Sequence, residues 1–144
     1  MFKRIVVALD DRPESHRALS SAIDLASTLK ASLATLSMME EMPGYESYAI
    51  AVDPNAPAEW NDEQRAEQRL VHEKAKEQAQ ASGLEITSHV LEDHDVSAIV
   101  RFLKEHKADL LVVGLHHRQP YIARLWNAIF ELAQNAPCSI LGVH

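Results

Sequence analysis

The chain has 144 residues, 47% of them hydrophobic, with 14 basic against 21 acidic side chains and a net charge of −7. That is enough apolar material for one globular domain with a sizeable core. The acidic balance and scattered basic residues argue against nucleic acid, whose phosphates such a surface repels. No apolar run reaches the ~18 residues of a membrane span. The opening "MFKRIVVALDDRPE" meets charge too early for a signal peptide, so the expected compartment is the cytoplasm.

In chain order, "RIVVALD" (4–10) is a continuous β-branched apolar run, the pattern of a buried parallel strand. Asp11 and Glu14 fit a capping box around Pro13. Ala18, Leu19, Ala22, Ile23, Ala26 and Leu29 then recur at helical spacing, which predicts an amphipathic helix over 12–30. "SLATLSMM" (32–39) reads as a second strand. Segment 40–60, with Pro43, Gly44, Pro54 and Pro57, breaks any regular pattern and reads as a long functional or mobile loop. A helix is expected over 61–83, with Asn61 and Gln64 as its capping box and Gly83 as its stop. Its apolar stripe, Ala66, Leu70, Val71, Ala75 and Ala79, is narrow.

"LEITSHVL" (84–91) alternates like a strand near a sheet edge. Asp95 is placed to cap a helix over 96–107 that buries Ile99, Phe102, Leu103 and His106. "ADLLVVG" (108–114) is another buried strand, 122–135 a last helix, and "CSILGV" (138–143) a closing strand. Strands alternating with helices predict an α/β three-layer sandwich: a five-stranded parallel sheet with helices on both faces. Ligands of such sheets bind beyond the C-terminal strand ends. The ends that matter here are Asp10 and Gly114.

Asp10 reads either as a hydrogen-bond acceptor at that crevice or as a solvated acid beside a helix start. After Gly114 comes a turn where a phosphate would meet a helix N-terminus, but His116, His117, Arg118, Gln119 and Pro120 fill it. The histidines and Arg118 could offer positive charge. Adjacent histidines diverge, however, and no other histidine has metal-ligand spacing, so no metal site is expected. Trp126 and Phe130, one turn apart, read as a core or dimer-facing stripe, and Asn127 beside them faces either ligand or solvent. Cys138 is the only cysteine, which excludes an internal disulfide and fits a small buried hydrophobe. No P-loop, Ser-His-Asp order or paired carboxylates is present, so no catalysis is expected.

The pieces "IVVALDDRPESHRAL", "ADLLVVG" and "ELAQNAPCSILGV", in this order and at these separations, resemble the universal stress protein family over essentially the whole chain. The resemblance implies an α/β fold with strand order 3-2-1-4-5, a cytoplasmic stress-related role, and homodimers paired through the last strand, 138–143. It leaves further protein partners open. The ligand class it implies is ATP or another adenine nucleotide, bound in some members through G-x2-G-x9-G-(S/T) after the fourth strand. Gly114 holds the first position, His117 replaces the second glycine, and Trp126 and Asn127 fall where Gly and Ser/Thr would stand. Asp10 matches the acid that meets the base or ribose edge, and Met38 an adenine-lining position. The implied pocket therefore comprises Asp10, Met38, Gly114, His117, Arg118 and Asn127, with a degenerate phosphate cradle.

Overall fold

A computed structural model describes residues 1–39, 51–93, 95–115 and 122–144, and for 122–127 only the course of the backbone. The elements run β1 (Arg4–Ala8), α1 (Pro13–Leu29), β2 (Ser32–Met38), α2 (Ala56–Ala81), β3 (Ile86–Leu91), α3 (Val96–Glu105), β4 (Leu110–Gly114), α4 (Ile122–Asn135) and β5 (Ser139–Val143). The strands form a five-stranded sheet of order β3-β2-β1-β4-β5, and every pairing is parallel. Both the α/β class and the implied strand order are therefore observed.

Alternation along each strand sorts the core into two layers. Ile5, Val7, Leu9, Leu33 and Val112 meet Leu19, Ile23 and the small residues of α1, together with Ala75 and Ala79 of α2. On the opposite face Val6, Leu36 and Leu111 pack with Phe102 and Leu103 of α3 and Leu132 of α4. Because β1 and β4 are covered on both faces, their sequences show continuous apolar runs rather than alternation. β3 lies at a sheet edge, as its wetter pattern predicted.

Several local expectations need correction. α1 is capped at Arg12 with no side-chain cap bond, so the Asp11–Glu14 capping box is not how the helix starts. α2 begins at Ala56 rather than near Asn61, because Pro57 fits the first turn, where a missing N–H costs nothing. Its inward face matches the apolar stripe at Val71, Ala75 and Ala79 but not before them: Ala66 and Leu70 are exposed, and Gln64 and His72 are buried instead. His106, expected in the core, is the exposed C-cap of α3, with its ring stacked on Phe102.

Other signals held. The Asp95 carboxylate accepts a 3.0 Å bond from the Ala98 N–H, and the Ser97 hydroxyl first and this N–H second hold its pKa below the ordinary carboxylate value. Gly83 adopts φ 75°, the left-handed backbone that stops a helix. The two layers give a contrast to measure: Leu103→Ala should cost about 2–5 kcal/mol and Leu70→Ala less than about 0.5 kcal/mol in urea unfolding.

Candidate functional site

In strand order 3-2-1-4-5 the winding reverses between β1 and β4, which defines the switch-point crevice. Val7 pairs with Val112, so the chain leaves both strands side by side, toward Asp10 on one and Gly114 on the other. Leu9 N–H donates to the Leu36 carbonyl at 2.8 Å, which sets the end of β2, with Met38, next to them. Three of the six expected pocket residues thus converge from separate strands. His117 and Arg118 lie outside the described residues, and Asn127 falls on α4 where only the backbone is described.

The turn after β1 is tightly built. Ser15 accepts the Asp10 N–H at 2.8 Å and donates to the Ala8 carbonyl at 3.4 Å, stitching the strand to the helix. The Asp10 carboxylate accepts from the Arg12 N–H at 2.8 Å and from Arg12 Nε at 2.9 Å. This pair is solvent-exposed and contributes at most about 1 kcal/mol. Its consequence is geometric: both oxygens already accept one bond, leaving each a single further lone pair for a ligand. Ser15, buried and polar, was not singled out in the sequence.

Gly114 has a structural reason to be glycine. A Cβ there would lie 2.5 Å from the Glu14 carbonyl oxygen and 2.6 Å from its carbon. Backbone cannot yield to that as a flexible side chain can, so the first turn of α1 rests on β4 only because no side chain intervenes. Met38 is half-buried at the end of β2, and its carbonyl accepts a 3.4 Å bond from Gln68 of α2. A groove of about 270 Å³ lined by Met39, Arg65, Arg69, Val90 and Glu92 opens between α2 and the β3 edge, away from the switch point. There Arg65 is held by Glu92 at 2.7 Å.

A polar cluster that the sequence reading passed over lies under α2. His72 is bonded through Nδ1 to Thr35 Oγ1 at 2.7 Å and through Nε2 to Ser37 Oγ at 2.8 Å. Ser37–His72–Thr35 has the spacing of a nucleophile, a base and an orienting group. Ser37 is 2% exposed and Thr35 0%, so no substrate reaches the hydroxyls in this structure. Burial, reinforced by Lys76 and His89, lowers the His72 pKa to about 4. The signal was available: 72, 75 and 79 share one helical face, and 35 and 37 one strand face. Among the described residues no group of three or more His, Cys, Asp or Glu could hold a metal ion.

Cys138 is partly buried; desolvation, with Asp109 nearby, raises its thiol pKa. That leaves little thiolate at neutral pH.

An open α/β sheet with a crevice at its winding switch is the class of protein defined here. The family model described as "Universal stress protein family" matches residues 1–144, and the chain belongs to that family. A universal stress protein of Methanocaldococcus jannaschii is 28% identical over 151 residues, covering 99% of this chain and 82% of the relative. The crystal structure of a family protein from Burkholderia pseudomallei matches with TM-score 0.74 and 25% identity, covering 99% of this chain and 96% of the other. A universal stress protein crystallised in complex with cAMP matches with TM-score 0.68 and 24% identity, over 99% and 97% of the two chains.

Two measurements follow from this geometry. Gly114→Ala should lower stability by about 1–3 kcal/mol in urea unfolding without any nucleotide present; an unchanged midpoint would refute the packing role. Cys138 should alkylate more slowly than a free thiol at pH 7.5, and a rate equal to that of a small-molecule thiol would contradict its environment.

Proposed function

We propose that the chain acts as a non-catalytic, cytoplasmic, homodimeric universal stress protein that works through protein partners and holds adenine nucleotides weakly or not at all. The observation that carries this reading is the blocked Cβ direction of Gly114. The glycine is accounted for by helix–strand packing, so it is no sign of a phosphate cradle. The sequence adds to this: His117 replaces a second glycine, and Trp126 and Asn127 stand where nucleotide-binding members carry Gly and Ser/Thr. The engagement of Asp10 with Arg12 narrows what it can offer a base or ribose.

Pairing of two copies through β5 is supported by its position as an edge strand with Leu141 exposed, beside α4 with Phe130 62% exposed. An open apolar edge calls for a partner strand.

A second reading, an adenine-nucleotide sensor using the 114–128 turn, is favoured by the convergence of Asp10, Met38 and Gly114 and by the cAMP complex of a structural relative. In it, His116, His117 and Arg118 would replace the missing backbone contacts.

Thermal unfolding with ATP, with and without magnesium, separates the two. A ligand at one hundred times its Kd adds about 2.7 kcal/mol, so the first reading expects no saturable rise at millimolar ATP. A saturable rise that Arg118→Ala removes and Asp53→Ala leaves intact would establish the sensor instead. Light scattering on a sizing column should give a dimer, and Leu141→Lys a monomer; a wild-type monomer would contradict the β5 pairing.

A further inference from the structure

We propose that His72 is a proton-operated latch: protonation of its buried ring releases the N-terminal half of α2 from the sheet and uncovers the end of β2. Both ring nitrogens are committed to hydroxyls on one strand, Thr35 and Ser37, and the ring is 4% exposed. Thr35 in turn donates toward Ser88 Oγ at 3.2 Å and the Thr87 carbonyl at 3.4 Å. With its proton spent there, Thr35 accepts from Nδ1–H, and Ser37 donates to the unprotonated Nε2. A second ring proton would turn Nε2 into a donor facing the Ser37 hydroxyl, whose own proton would then need another acceptor inside the core. An unmet buried donor of that kind favours opening.

Among the described residues, the groups acting on the ring disfavour its cation. Lys76, one turn along α2, and His89 on β3 both disfavour positive charge on the ring. β2 presents the hydroxyls already described, and β3 the Ser88 hydroxyl and the Thr87 carbonyl through Thr35.

The rest of α2 determines which half lets go. Its buried apolar anchors, Ala75 and Ala79, both lie C-terminal to His72. On the N-terminal side the inward positions are Trp60, Gln64, Gln68 and the partly buried Val71, and Gln68 Oε1 and Trp60 Nε1 are buried without hydrogen-bond partners. Gln68 grips the Met38 carbonyl only at 3.4 Å, and Arg65–Glu92 is an exposed pair. Among the described residues this half has fewer buried apolar anchors than the other, and such a segment is the first to open locally. Its release uncovers Ser37, Met39 and the Met38 carbonyl at the C-terminal end of β2, which would make access to that end of the sheet pH-dependent.

The sign follows from linkage. The folded pKa of about 4 lies below the ordinary histidine value of 6.5, so stability is full above 6.5 and is lost as pH falls toward 4. Between pH 7 and pH 5 the opening equilibrium should rise about 20-fold. The test is amide hydrogen exchange, as protection factors, on wild type and His72→Gln, with the His72 ring protons followed by NMR. Gln can bridge two hydroxyls without titrating. The wild type should show a ring midpoint well below 5, protection over residues 60–72 at least ~10-fold lower than in α1, and a fall of about 20-fold from pH 7 to pH 5 that the variant lacks. A ring midpoint near 6.5, protection over 60–72 equal to that of α1 at pH 5, or the same pH response in His72→Gln would overturn the proposal. Should His72→Gln not fold, the wild-type ring titration and exchange pattern decide alone.

Discussion

The close approach of α1 to β4 is the constraint on which the crevice depends. The first turn of α1 passes so near Gly114 that the Glu14 backbone occupies the space of a Cβ. That contact sets where β1 hands over to α1, and so where Asp10, Arg12 and Ser15 fold into their local bond network. Without it the helix would have to lift away, and the side-by-side exits of β1 and β4 would lose their cover. The family scaffold and the candidate pocket therefore share one point of contact, and one residue cannot be read as evidence for the pocket alone.

Much of the fold was legible because its signals were local and periodic. Continuous apolar runs identified β1 and β4, and Asp95 and Gly83 marked helix ends by chemistry that depends on few neighbours. The start of α2 was not legible, since Pro54, Pro57 and the surrounding polar residues read equally as loop or first turn. Its inward face was read correctly at Val71, Ala75 and Ala79 but misassigned at Ala66 and Leu70, for a different reason. Leu70 suits a core by hydropathy, but the face toward β2 is selected by hydrogen bonding: His72 finds Thr35 and Ser37 there. The shared faces of 72, 75 and 79 and of 35 and 37 were legible, but their pairing across 35 residues of sequence separation was not.

The site was legible in position more than in meaning. Asp10, Met38 and Gly114 converge as parallel winding requires. What pattern alone could not convey is that Asp10 already serves Arg12, or that Gly114 is glycine for the sake of a helix. The same physics separates the crevice from the cluster beneath α2. Asp10 is partly exposed and keeps lone pairs available, whereas Ser37, His72 and Thr35 are closed over and satisfied by one another. The first can meet a ligand; the second can respond only to a proton.

The central claim, that Gly114 serves packing and the crevice lacks an effective phosphate cradle, is tested most directly by following the backbone amides of Asp10, Gly114 and Leu115 by NMR as magnesium-ATP is added. The account predicts shifts that stay small and linear into the millimolar range. Saturable shifts of all three at micromolar ATP would contradict it.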